Sequence, residues 1–173
     1  MDAAVDLVRT EAPTDTLTSA GGLSRWLAER RDALGPAGEE LALRLPQFRA
    51  LRESIGRTFA AALAGRPLPS DAVAALNAAS AAAPGFPQLV ASDREGPTVT
   101  TAMLPVGPTA EILAAIARSA IAIVGGPDRA RLRRCEAPSC GRVFLAGRPD
   151  QVWCSMACGN RARVARHYAR AGR

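Results

Sequence analysis

The chain has 173 residues, 48% of them hydrophobic but only 4% aromatic, and a formal net charge of +6 carried on the basic side by arginine alone. That length allows one ordinary domain with a small appended module, and an alanine- and leucine-rich core favours helices. Acidic residues 2, 6 and 11 argue against a secretory leader, and the longest apolar run, Ile112 to Val124, is broken by Arg118 and too short to span a bilayer, so a cytoplasmic protein with reduced thiols is expected.

Periodicity is weak up to Gly21-Gly22, after which Leu23, Trp26 and Leu27 share a face of a short helix that ends near Gly35-Pro36. From Ala37, the residues Leu41, Leu45, Phe48, Leu51, Ile55, Phe59 and Leu63 recur at three- and four-residue spacing, predicting a helical run broken or kinked at Pro46 and closed by Gly65 and Pro67. Ser70-Asp71 are read as the cap of a helix over 72–82. Residues 88–91 and 97–104 alternate like strands around a turn at Asp93–Gly96 and predict a hairpin. Thr109 is read as the cap of a last body helix through Val124, stopped by Gly125-Gly126-Pro127. No cysteine or histidine precedes residue 135, and no glycine-rich phosphate loop follows a strand, so a non-enzymatic body is expected.

The last quarter differs. Residues 129–173 hold 11 arginines against Glu136 and Asp150, for +9, while residues 1–128 sum to −3. All four cysteines lie here, as Cys135-x4-Cys140 and Cys154-x3-Cys158 with thirteen residues between the pairs. Two close pairs across a short loop set four thiolates where one tetrahedral Zn²⁺ can collect them, and four protein ligands leave no open position for catalytic water. The expected layout is treble-clef-like. A knuckle leads into a hairpin pairing 142–145 with 151–153, and a helix begins after Ser155 and carries Cys158 in its first turn. Phe144 and Trp153 supply the small core. On that helix Arg163, Arg166, His167 and Arg170 share one face, with Val164 and Tyr168 opposite and expected to pack inward. No acid follows Asp150, so the arginine face suits the phosphates of double-stranded DNA, with Arg131, Arg133 and Arg134 as further backbone contacts.

Cys158-Gly159-Asn160-Arg161, preceded by Trp153-Cys154-Ser155 and followed by Ala162-Arg163-Val164, resembles the CGNR zinc-finger family. Residues 1–128 resemble the ABATE domain that accompanies it, through Leu7-Val8-Arg9-Thr10, Asp15-x-Leu17, Trp26-Leu27, Leu51-Arg52 and Leu76-Asn77. The resemblance implies a DNA-binding transcription regulator. Within the tetrad, Gly159 would let the backbone pass near the knuckle. Asn160 and Arg161 would contact DNA or serve the module's own integrity.

The resulting expectation is an α+β, mostly α protein with two parts. Residues 1–128 form a helical domain with a small β-hairpin that dimerises or senses a small-molecule effector. Residues 129–173 form a treble-clef-like, four-cysteine zinc finger ending in a basic helix. Its metal ligands are Cys135, Cys140, Cys154 and Cys158, and its DNA-contacting residues are Asn160, Arg161, Arg163, Arg166, His167 and Arg170. It acts in the cytoplasm at the nucleoid. Two other uses remain open: an adaptor docking on an acidic partner, and a switch that sheds zinc on oxidation.

Overall fold

The computed structural model describes residues 2–36, 39–91 and 96–171. Helix α1 (Ala3–Arg9) is capped by Asp2, whose carboxylate accepts from Ala4 N and Val5 N. Ser119 accepts from Ala4 N at 3.0 Å and donates to Asp2, tying α1 to a later helix. Ala4, Val5, Leu7 and Val8 are all buried, so this short helix has no polar stripe, which is why periodicity did not reveal it. Helix α2 (Ala20–Ala28) starts at a Ser19 cap and buries Leu23, Trp26 and Leu27. A four-residue α3 (Arg31–Leu34) follows.

The break expected at Pro46 falls at the junction just before it. A 3₁₀ segment, Glu39–Arg44, gives way to α4 (Leu45–Leu63), and Pro46 stands in its first turn, where a missing N–H costs nothing. Helix α5 (Ser70–Ala81) makes no side-chain cap with Ser70. Asp71 instead takes a bidentate pair from Arg57, at 2.5 and 2.9 Å. Strands β1 (Gly85–Val90) and β2 (Thr98–Met103) form the expected antiparallel ribbon. The expected turn falls mostly on residues 92–95, outside the described residues, and only its last position, Gly96, is described.

Helix α6 (Pro108–Gly125) begins a residue before Thr109, and no side chain caps it; Glu111 reaches back to accept from Val106 N and Gly107 N, both at 3.2 Å. By length and composition α6 could cross a bilayer, but its Ile112, Ile116, Ala117, Ala120 and Ile123 face the protein core. Arg118, the charge interrupting its apolar run, donates to the carbonyls of Ser80 (2.8 Å) and Ala83, closing the end of α5. Phe48, Ile55 and Phe59 of α4 are fully buried with Leu7, Leu17, Leu23 and Leu41, so α1, α4, α5 and α6 enclose one core.

A buried arginine fixes the loop after α1. Arg52 donates to both Asp15 oxygens at 2.7 and 2.8 Å and to Thr10 Oγ1 at 3.0 Å, and Asp15 also accepts from Leu17 N at 2.8 Å. The Arg52 guanidinium pulls the Asp15 carboxyl down to about 2 against an ordinary 3.8. A group with a depressed folded value stabilises the fold above its unfolded pKa and loses that contribution as pH falls through its folded one. With 34% of the Asp15 side chain exposed, solvent screening reduces the pair to about 1–2 kcal/mol. Denaturant melts between about pH 4 and 2 are therefore expected to show a stability slope that Asp15→Asn flattens; equal slopes in both proteins would refute the assignment.

Candidate metal centre and basic helix

After α6, a 3₁₀ turn (Pro127–Arg131) leads into β3 (Leu132–Arg134), which pairs antiparallel with β4 (Val143–Leu145). This corrects the expected hairpin: β4 pairs with the segment before the first cysteine, not with 151–153. The knuckle itself closes the ribbon, because Cys135 N donates to Arg142 O at 2.8 Å and Cys140 N to Ala137 O at 3.1 Å. Gly141, at φ 64°, supplies the left-handed turn that lets the chain double back. Residues 151–153 are held instead by Glu136 N donating to Val152 O at 3.1 Å. Leu132 and Val143 are buried in the core of the helical body, and Arg142 donates to Ala12 O at 2.7 Å, in the loop that Arg52 and Asp15 fix.

Helix α7 (Met156–Ala171) follows, with Ser155 Oγ accepting from Cys158 N at 3.2 Å, so the Ser155 cap and the place of Cys158 in the first turn are as expected. All four Sγ atoms lie within 4.8 Å of one another. Three of the separations are close to equal: Cys140–Cys154 at 3.7 Å, Cys154–Cys158 at 3.6 Å and Cys140–Cys158 at 3.7 Å. A Zn–S bond near 2.3 Å implies a tetrahedral S···S edge of about 3.8 Å, whereas a disulfide needs about 2.05 Å. The cysteines are unpaired. Their spacing is that of ligands around one metal ion.

The surroundings suit thiolates. Cys154 N donates to Cys135 Sγ at 3.3 Å and Arg161 Nη2 to Cys158 Sγ at 3.2 Å. As free thiols, burial pushes Cys154 up, whereas the Ser155 hydroxyl brings Cys158 down. Phe144 and Ala162 are buried around the cluster with Trp153 beside them, as the small core required.

Gly159 has a different reason from the one expected. A Cβ there would come within 3.1 Å of Trp153 Cε3, so the position is kept small by the indole rather than by the knuckle. Gly159→Val should push Trp153 off the cluster and cost about 1–3 kcal/mol, typical of overpacking, read as earlier loss of metal in a thermal melt. An unchanged melt would show the contact to be slack.

The arginines divide into two sets. Arg131 donates to Ala146 O and Asp128, Arg133 to Ala130 O and Leu132 O, and Arg134 to Gly141 O, so those before the first cysteine are used in bracing the hairpin. On α7, Arg161 lies on the cluster, and Arg166 sits 5.7 Å from the Trp153 ring while donating to Ala162 O at 3.3 Å. Arg163, His167 and Arg170 remain exposed on the outer face, with Asn160 accepting from Arg163. Val164 and Tyr168 do not pack inward; they are 54% and 72% exposed. The covered side of α7 runs through Cys158 and Ala162, roughly opposite those two residues around the helix, because the packing of Cys158 into the cysteine cluster fixes the helix rotation.

The family model of the CGNR zinc finger matches residues 131–171. No curated protein sequence matches the chain. A second family model, ABATE, described as "putative stress-induced transcription regulator", matches residues 1–127. The chain thus belongs to the ABATE family and carries a CGNR zinc finger.

Proposed function

We propose that the protein is a zinc-dependent, DNA-binding transcription regulator acting at the nucleoid. Cys135, Cys140, Cys154 and Cys158 hold Zn²⁺, which supplies no reaction but locks the knuckle to the first turn of α7. The outer face of α7, with Asn160, Arg163, His167 and Arg170, meets the duplex. The helical body dimerises or senses an effector. Residues 1–128 and 129–173 are the two working units.

The observation that carries this reading is α7 itself. It is a 16-residue helix anchored at its first turn, and every residue described from Arg163 to Arg170 is exposed. Arg163 to Arg170 span about 10 Å of helix axis, enough to reach successive phosphates or base edges in a major groove. No acid occurs after Asp150 to neutralise them. Arg161 and Arg166 contribute less directly: one faces a ligand sulfur and the other an indole, so both hold the helix in place. A single small module buries little surface on DNA, and a dimer doubling the contact accords with ordinary regulator affinities.

The test is selection from a random pool of duplex DNA by the zinc-loaded protein. A regulator enriches a sequence, and a two-fold related pair of half-sites is expected. A protein-binding adaptor enriches nothing, and that outcome would sink the proposal.

A further inference from the structure

The β1–β2 ribbon is unusual in being apolar yet uncovered. Leu89 and Val99 face each other across it at 74% and 72% exposure, with Phe86, Val90 and Met103 each more than 40% exposed. Its strands carry no charge: between Asp71 and Arg118 the charged residues are Asp93, Arg94, Glu95 and Glu111. A two-stranded ribbon by itself is marginally stable in water, and three or more strands are needed for independent stability.

The two edges of the ribbon differ. Leu104 N donates to Pro84 O at 2.9 Å, which makes 84 and 104 a hydrogen-bonded pair in the register that also sets Gly85 against Met103. In an antiparallel ladder hydrogen-bonded and non-bonded pairs alternate. The backbone groups of Gly85, Pro87 and Leu89 therefore point outward from β1, and those of Val99, Thr101 and Met103 outward from β2. Pro87 has no N–H to offer, so the β1 edge is blunted at its centre. The β2 edge has no proline, charge or bulge, and among the described residues nothing pairs with it. Proteins protect such edges unless they are used.

We infer that β2 is the self-association edge of this protein: two copies pair β2 against β2 antiparallel about a two-fold axis at Thr101. Val99 then lies opposite Met103 of the partner subunit, and a four-stranded sheet forms in the order β1-β2-β2-β1. A second copy is the occupant because the strands are neutral in a chain of net charge +6, so two copies meet there without repulsion while the basic modules stay apart. A charged partner would find no counter-charge on these strands. The symmetric register also joins the two apolar faces, each carrying Leu89, Val99 and Met103, into one. This gives a surface to the dimerisation part of the functional reading, yet its test needs no nucleic acid.

The experiment is sedimentation of the full-length, zinc-loaded protein at about 50 µM together with its Thr101→Pro variant, followed by amide exchange. The wild type is expected at twice 18.0 kDa. Thr101→Pro removes an outward N–H and spares the β1–β2 ladder, so it should raise the dissociation constant at least about 100-fold with the circular dichroism and zinc content unchanged. In the wild-type dimer the amides of Val99, Thr101 and Met103 should exchange far more slowly than those of Gly85 and Leu89. A wild-type monomer, an undiminished dimer in the folded variant, or a dimer with fast-exchanging Val99 and Thr101 amides would overturn the inference. If the variant fails to fold, the exchange pattern decides alone. A monomer that binds DNA would remove this surface and leave the regulator reading intact; a β2-paired dimer without DNA affinity would do the reverse.

Discussion

Cys158→Ser is expected to cost the protein its metal and, with it, the ordered state of α7. Cys158 stands in the first turn of α7 and lies 3.6 and 3.7 Å from two other cysteine sulfurs, so it would be the direct link between a bound metal and the helix. Zinc binding by such modules is worth about 10–16 kcal/mol, and that energy is the folding energy of the unit. The remaining contacts cannot replace it: among the described residues of α7 only Cys158, Gly159 and Ala162 are buried. A basic helix of 16 residues with no packing beneath it is marginal in water. Zinc content should fall from one ion per chain to below about a tenth, and the amides of 159–171 should lose protection. The helical body should survive, because Leu132 and Val143 keep the hairpin seated in its core. Retention of one zinc with a protected α7 would show that three thiolates suffice and that the helix is held by something else.

The second large effect concerns the outer face. Replacing Arg163 and Arg170 together with alanine is expected to weaken DNA binding about 10–100-fold at moderate salt, with zinc content and melting unchanged. Each phosphate contact removed should lower the log–log salt slope by about 0.9, so the pair should lower it by nearly 2. Arg161→Ala should behave differently. Its guanidinium lies 3.2 Å from Cys158 Sγ, where it would offset the negative charge of a four-thiolate metal site. Its loss should speed zinc release to a chelator, and Arg161→Lys should restore much of the hold by keeping the charge. If Arg163 and Arg170 can be removed with no change in salt slope, α7 does not face the phosphates.

What the sequence made legible follows from where the signal was dense. Four cysteines at fixed spacing specify a convergent site almost regardless of context, and the sulfurs do converge. The stripe from Phe48 to Phe59 likewise gave a helix and its buried face. Short elements escaped: α1 is buried on most sides, and β3 is three residues inside an arginine run, readable only by its partner across the knuckle. Asp2 ahead of Ala3-Ala4-Val5 was the one local hint of α1, as a helix cap. The rotation of α7 could not be had from periodicity. Val164 and Tyr168 look inward-facing on a helical wheel, but the seating of Cys158 in the cysteine cluster, not the apolar stripe, sets which side is covered. For the same reason the division of arginines between bracing and outward sets becomes visible only once the sulfurs and Trp153 have positions.

Arg142 joins the two halves of the molecule. Beside the knuckle, it donates to Ala12 O in the loop held by the Arg52–Asp15 pair. The zinc module is thus oriented against the body by the segment whose residues carry the ABATE resemblance.

On the proposed function, zinc folds a module whose helix then binds duplex DNA. The decisive measurement is the anisotropy of a labelled duplex titrated with full-length protein, zinc-loaded and after chelation, across a salt series starting near 50 mM. Binding by the zinc-loaded protein should fall linearly in log–log salt with a slope of several units, and chelation should abolish binding that added zinc restores. Absence of affinity at the lowest salt, or equal affinity with and without the metal, would contradict it.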